Sequence, residues 1–171
     1  MTTTQPNDHP DGALVAQEQL LPFLLDPKSY PHRPKRVRLV QTHASFVFIA
    51  PPFVYKVKKA VNFGFLDFST PAKRLHFCER EVALNRRLAP STYLGVVPIT
   101  KQDGHYGFGQ EGQVVDYAVQ MRQLPDGHFL DQLLKRNEVG LRDMNRIATF
   151  LKEFYEAQRP TGEIRDWGRI D

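Results

Sequence analysis

The chain has 171 residues, 41% of them apolar and 25% charged, with one cysteine and a formal net charge of +4. That size and balance suit one soluble domain, or a small domain plus part of another, and exclude wholesale disorder. The lone Cys78 excludes an internal disulfide and a cysteine-based zinc site. No apolar run reaches about 18 residues, and MTTTQPNDHPDG lacks a basic-then-apolar leader, so the expectation is a cytoplasmic protein with no membrane partner.

Residues 1 to about 11 lack periodicity and are expected to be a tail. Leu14, Glu18, Leu21 and Leu25 then recur at helical spacing, with Pro22 expected to kink or end this short leading helix. DPKSYPHRP is a connector, which gives a first region of 1–35. From Val37 the period changes to two. Three segments rich in β-branched and aromatic residues, around Val37–Gln41, SFVFIA and FVYKVKKAV, predict three antiparallel strands joined by tight turns. After the loop NFGFLDF, Ser69-Thr70-Pro71 predicts a helix start, and the pattern continues through Arg87. YLGVVPIT and QVVDYAVQM are two further strands around the turn-rich KQDGHYGFGQEG.

Gly107, Gly109 and Gly112 in that turn spell G-x-G-x-x-G, and with Val114 they match a phosphate-loop pattern. The strand that follows offers Gln120 rather than a lysine, and no helix follows the glycines, so a hairpin connection is the expected role. Beyond LPDG, FLDQLLKR and LRDMNRIATFLKEFYEAQ predict two helices. In the second, Leu141, Met144, Ile147, Ala148, Leu151, Phe154 and Tyr155 draw one apolar stripe.

Lys56 is flanked by Val54-Tyr55 and Val57, which lays its stem in the sheet, whereas Lys58 or Lys59 reads as a solvated edge residue. On the following helix Glu81 has Phe77 and Cys78 one turn before it and Leu84 and Leu88 after it, so it projects from the apolar side and needs a cation. Lys56 is the expected partner; Glu79, in a less apolar setting, is the alternative carboxylate. A strand lysine paired with a helix glutamate is how kinase-like folds hold the phosphates of ATP.

With T-H-A-S-F-V-F, F-V-Y-K-V-K-K, N-F-G-F-L-D-F-S-T-P-A-K-R, F-C-E-R-E-V-A-L-N-R-R-L-A-P and Y-L-G-V-V-P-I-T, the chain resembles the N-terminal kinase-like domain of bacterial proteins related to aminoglycoside phosphotransferases. In that family this domain often precedes a P-loop ATPase or kinase-like domain. The likeness covers roughly residues 36–165 and is most specific over Phe63–Pro90.

The resemblance implies an α+β fold. A kinase-like N-lobe and hinge would occupy 36–124, with an antiparallel five-stranded sheet and one αC-type helix, and the first helices of a helical C-lobe would occupy 125–171. It implies ATP as the ligand, with Lys56 reaching the α- and β-phosphates and Glu81 as its partner. Met121 would back the adenine pocket, Arg122, Gln123 and Leu124 would form the hinge, and Thr42-His43-Ala44-Ser45 would cover the phosphates through backbone N–H groups and the Ser45 hydroxyl.

Phosphoryl transfer further needs a base and Mg²⁺ ligands. After the last predicted helix only Asp166 and Asp171 remain, in E-I-R-D-W-G-R-I-D, which does not resemble a catalytic loop. The expectation is therefore a nucleotide-binding lobe truncated before its catalytic loop and inactive alone, with no catalytic or metal-binding residue of its own and Mg²⁺ only in a two-lobed form. The alternative is a non-enzymatic pseudokinase-like module that self-associates or docks a protein through the 141–155 stripe. Eight Lys/Arg and no Asp or Glu fall between Pro27 and Leu66. Aromatic interleaving there stops at Phe46, Phe48 and Phe53, so nucleic acid is not the expected partner.

Overall fold

In the computed structural model the described residues are 17–109, 111–158 and 162; the expected tail and the closing stretch 163–171 lie outside them. The chain divides into two units, residues 1–123 and 124–171.

In the first unit the period-two segments pair as β1 (Arg38–Gln41), β2 (Ser45–Ala50), β3 (Phe53–Lys58), β4 (Tyr93–Gln102), β5 (His105–Phe108) and β6 (Gln113–Arg122). They make an antiparallel sheet in the order β1-β2-β3-β6-β4-β5. The fold is α+β, but the sheet has six strands where five were expected. The extra strand is β5, hidden in the glycine-rich turn: Asp103 and Gly104, with φ of 50° and 83°, close a two-residue hairpin that pairs Gln102 with His105. Gly109 and Gly112 serve the next connection. At Gly112 the backbone has φ 127°, and a Cβ would lie 2.8 Å from the Lys101 carbonyl oxygen. The glycines of the G-x-G-x-x-G thus serve strand β5 and its passage to β6, which are not paired with each other: β4 lies between them, so the connection is a crossover rather than the expected hairpin.

One sheet face carries Phe46, Phe48, Tyr55, Val57, Ile99 and Ala118, buried against Leu20, Leu24, Tyr30 and Phe108. The cover includes α1 (Leu21–Leu25), with Pro22 in its first turn, where a residue without an N–H is tolerated; the start of the expected leading helix lies outside the described residues. The opposite face receives α2 (Pro71–Asn85). Thr70 caps it by accepting from the Lys73 N–H at 3.3 Å, with Pro71 in the first turn, and the helix ends two residues before Arg87. Its Cys78 and Val82 close over Val119 of β6, ringed by Tyr93, Val96, Tyr117 and Met121.

The second unit contains α3 (Leu130–Lys135) and α4 (Leu141–Ala157) at the expected places. Asp143 caps α4 by accepting from the Gly140 N–H at 3.0 Å, and Asp131 meets only Lys135, at 3.4 Å on an exposed face. No residue of α4 is buried; Leu141 and Tyr155 are 78% and 69% exposed. No described helix is long and apolar enough to cross a membrane.

Candidate functional site

Antiparallel register fixes which side chains share a face. Lys56 pairs across the sheet with Val47 on β2 and Val119 on β6, so it stands on the face that α2 covers. There its Nζ donates to Glu81 Oε1 at 2.8 Å, joining β3 to α2 as the sequence predicts. Glu79 is exposed and is not the partner. Leu84 and Leu88, read as apolar neighbours of Glu81, are 51% and 40% exposed. The buried face of α2 runs instead through Arg74, Cys78 and Val82.

Lys58 corrects a second expectation. Two residues along β3 it faces the same side, is buried rather than solvated, and donates to Glu81 Oε2 at 2.7 Å. Its ammonium also lies 4.8 Å from the centre of the Phe68 ring. Each carboxylate oxygen thus has its own cation. Burial by itself would raise the Glu81 carboxyl, but the hydrogen bonds and charges of the two lysines outweigh it and hold the group below its ordinary value. Cys78, one turn earlier, is buried and its thiol is pushed up to about 12 by desolvation, so it is an inert core side chain at neutral pH.

The helix is fixed at its other end by residues that the sequence reading missed. Arg74 Nε donates to Asp116 Oδ1 at 2.7 Å, with the two side chains 5% and 0% exposed. Asp116 also accepts from Gln17 Nε2 at 2.6 Å and from the Tyr117 N–H at 2.8 Å. Arg74 Nη1 reaches the Phe68 carbonyl at 2.9 Å. The Gln17 amide also bridges to the end of β3, donating to the Lys58 carbonyl at 2.7 Å and accepting from the Ala60 N–H at 2.8 Å. No buried side-chain nitrogen or oxygen of this cluster lacks a hydrogen-bond partner, the condition under which a buried charge is tolerated. One signal in the sequence pointed to it: an aspartate inside V-V-D-Y-A-V on a sheet-centre strand needs a cation.

Beyond Lys56, the strip on the same sheet face comprises Val47 and Ile49 of β2, Val54 of β3 and Met121 of β6, since Val54 pairs with both Ile49 and Met121. All four are half-buried, and so is Lys56, whose side chain is 30% exposed. A lysine ammonium therefore stands at the end of a partly open apolar strip. Past Met121, the Arg122 N–H donates to Thr92 O at 2.8 Å and the Gln123 N–H to Pro52 O at 2.9 Å, so both amides are already used. Leu124, the first residue of the second unit, is 50% exposed. At the 42–45 turn the Ser45 N–H donates to Thr42 Oγ1 at 3.0 Å, and Ser45 is only 4% exposed. Among the described residues no three His, Cys, Asp or Glu side chains converge as metal ligands.

Searches with this chain match no family model and no solved structure. Uncharacterized proteins from Mycobacterium tuberculosis and Mycobacterium bovis are 31% identical to it over 120 residues, which is 70% of this chain and 22% of theirs. The chain therefore spans about a fifth of the length of the curated relatives it matches.

Proposed function

We propose that residues 36–124 form a nucleotide-binding lobe of the aminoglycoside phosphotransferase type, with ATP as ligand and Lys56 as the cation for its phosphates. The observation that carries this reading is the 2.8 Å contact from Lys56 on the sheet to Glu81 on α2, with the lysine half-open to solvent at the end of an apolar strip. Val47, Ile49, Val54 and Met121 supply a flat, apolar surface suited to a purine ring. Because the N–H groups of Arg122 and Gln123 are already used, recognition of the base edge falls to carbonyls of the segment that ends β6. We assign no step of phosphoryl transfer to this chain and propose ATP binding as the role of these residues.

Isothermal titration with ATP and Mg²⁺ tests the reading. Lys56→Ala is expected to abolish the heat seen with the wild type. Equal heats for the two proteins would refute the nucleotide role.

A second reading, an interaction module that self-associates through α4, is favoured by the exposure of Leu141, Met144, Leu151 and Tyr155 along one stripe. On that reading Leu151→Asp abolishes a concentration-dependent rise in sedimentation coefficient. A wild type that stays monomeric over the accessible concentration range rejects it.

A further inference from the structure

The apolar strip beside Lys56 does not stop at β2. Val40 pairs with Val47 and Arg38 with Ile49, and directly opposed residues of an antiparallel pair project to one face, so both β1 side chains stand on the face that carries Lys56. Two rows cross the sheet there. One runs Val40, Val47, Lys56, Val119, and the other Arg38, Ile49, Val54, Met121. Val40 is 38% exposed and continues the floor, while Arg38 is exposed and marks its outer corner on the edge strand. The two cations of this surface are two strands and two residues apart, about 12 Å between Cα atoms. Glu81 draws the Lys56 ammonium toward α2, which packs over β4 and β6, whereas Arg38 lies on the other side of the strip, beyond β2. Among the described residues no acid pairs with the Arg38 guanidinium and no hydrogen bond holds it.

We infer that Arg38 is a ligand-binding residue of this surface, holding the base and ribose end of a nucleotide whose phosphates lie at Lys56. The inference rests on the nucleotide reading and adds a donor that the reading lacks. The N–H groups of Arg122 and Gln123 are already used, yet purine ring nitrogens and ribose hydroxyls present acceptors. A guanidinium offers five N–H donors to such atoms and a flat face that stacks on an aromatic ring. Its position across the strip from Lys56 separates this contact from the phosphates. The ordinary role of a charge on an edge strand is to block pairing with another chain, and that role involves no nucleotide, so measurement separates the two.

Adenosine and inorganic tripolyphosphate divide the nucleotide between its two ends. In ¹⁵N NMR spectra of the full wild-type chain, adenosine should move the Arg38 Nε signal and leave the Lys56 ammonium signal in place, and tripolyphosphate should move Lys56 more than Arg38. An Arg38 signal that ignores adenosine, or that responds to tripolyphosphate alone, overturns the inference and needs no variant. In isothermal titration Arg38→Met should weaken ATP binding roughly three- to tenfold. Lys28→Met removes the same charge from the turn Pro27–Ser29, outside the sheet, and should leave the affinity unchanged. Wild-type affinity in Arg38→Met marks an arginine that only guards the edge, and an equal loss in Lys28→Met marks a general effect of charge; either result overturns the proposal. Loss of ATP binding in Lys56→Ala with none in Arg38→Met defeats this inference alone. Equal heats for the wild type and Lys56→Ala defeat the nucleotide reading, and this inference with it.

Discussion

Arg74→Met makes the sharpest test of how α2 is held. The substitution keeps a long apolar stem but removes the Nε contact to Asp116 at 2.7 Å and the Nη1 contact to the Phe68 carbonyl at 2.9 Å. Asp116 is fully buried and would retain only Gln17 and the Tyr117 N–H as donors. A buried carboxylate deprived of its cation costs about 3–5 kcal/mol, a large share of the roughly 5–15 kcal/mol that stabilises an ordinary domain. Asp116→Asn should cost a similar amount by stranding the guanidinium. The double variant leaves no unpaired charge, so the two losses should fail to add by about 2 kcal/mol or more. Urea unfolding of the full chain, followed by circular dichroism, gives the three free energies. If Arg74→Met lowers stability by less than about 1 kcal/mol, as an exposed ion pair would, or if the single losses simply add, the pair is not the anchor argued for here.

Two other outcomes follow from the geometry. The Glu81 carboxyl is held below its ordinary value in the folded state, so its contribution to stability is complete above the unfolded carboxylate range and is lost as pH falls through that range toward the lower folded value. The stability difference between the wild type and Glu81→Gln, from urea midpoints at about pH 7 and about pH 3.5, should shrink on acidification; a difference that grows would contradict the two-lysine environment. Gly112→Ala places a Cβ 2.8 Å from the Lys101 carbonyl oxygen at a φ of 127° and should cost about 1–3 kcal/mol. Gly64→Ala, at φ 81° with nothing within 4 Å, carries the backbone strain without the clash and should cost less when both are measured by urea unfolding.

The strands β1 to β3, the capped helix α2 and the stripe of α4 were legible because each rests on a local pattern: alternation, Thr70-Pro71, or helical spacing. The strand β5 was not, although Asp103-Gly104 is a hairpin signal, because Gly107 and Gly109 dilute the alternation that would mark the partner strand. Lys56 and Glu81 were found by asking which charges have apolar flanks. Lys58 failed the same question, since Lys59 follows it and suggests a frayed end, whereas the loop after β3 returns to lay Phe68 over its ammonium. Gln17 lies 99 residues from Asp116, and no local pattern reports a contact of that span.

The two ion clusters on α2 divide a task that one could not perform. Arg74 and Glu81 are seven residues apart, nearly two turns, so both project toward the sheet about 10 Å apart along the helix. The Arg74 cluster is buried, shared among α2, β6 and residue 17, and has no member that can leave without stranding another. Such a contact holds a helix in one place but cannot serve a ligand. The Glu81 cluster has one enclosed lysine and one half-open lysine, so a ligand can reach Lys56 while the helix stays where Arg74 keeps it. Loosening the Arg74 cluster should therefore move Glu81 relative to its lysines, and Arg74→Met in a sample that remains folded should lower ATP affinity although Arg74 stands about 10 Å along the helix from Glu81. Unchanged affinity in that folded variant would mean that β3 and the Lys58–Glu81 contact position α2 unaided.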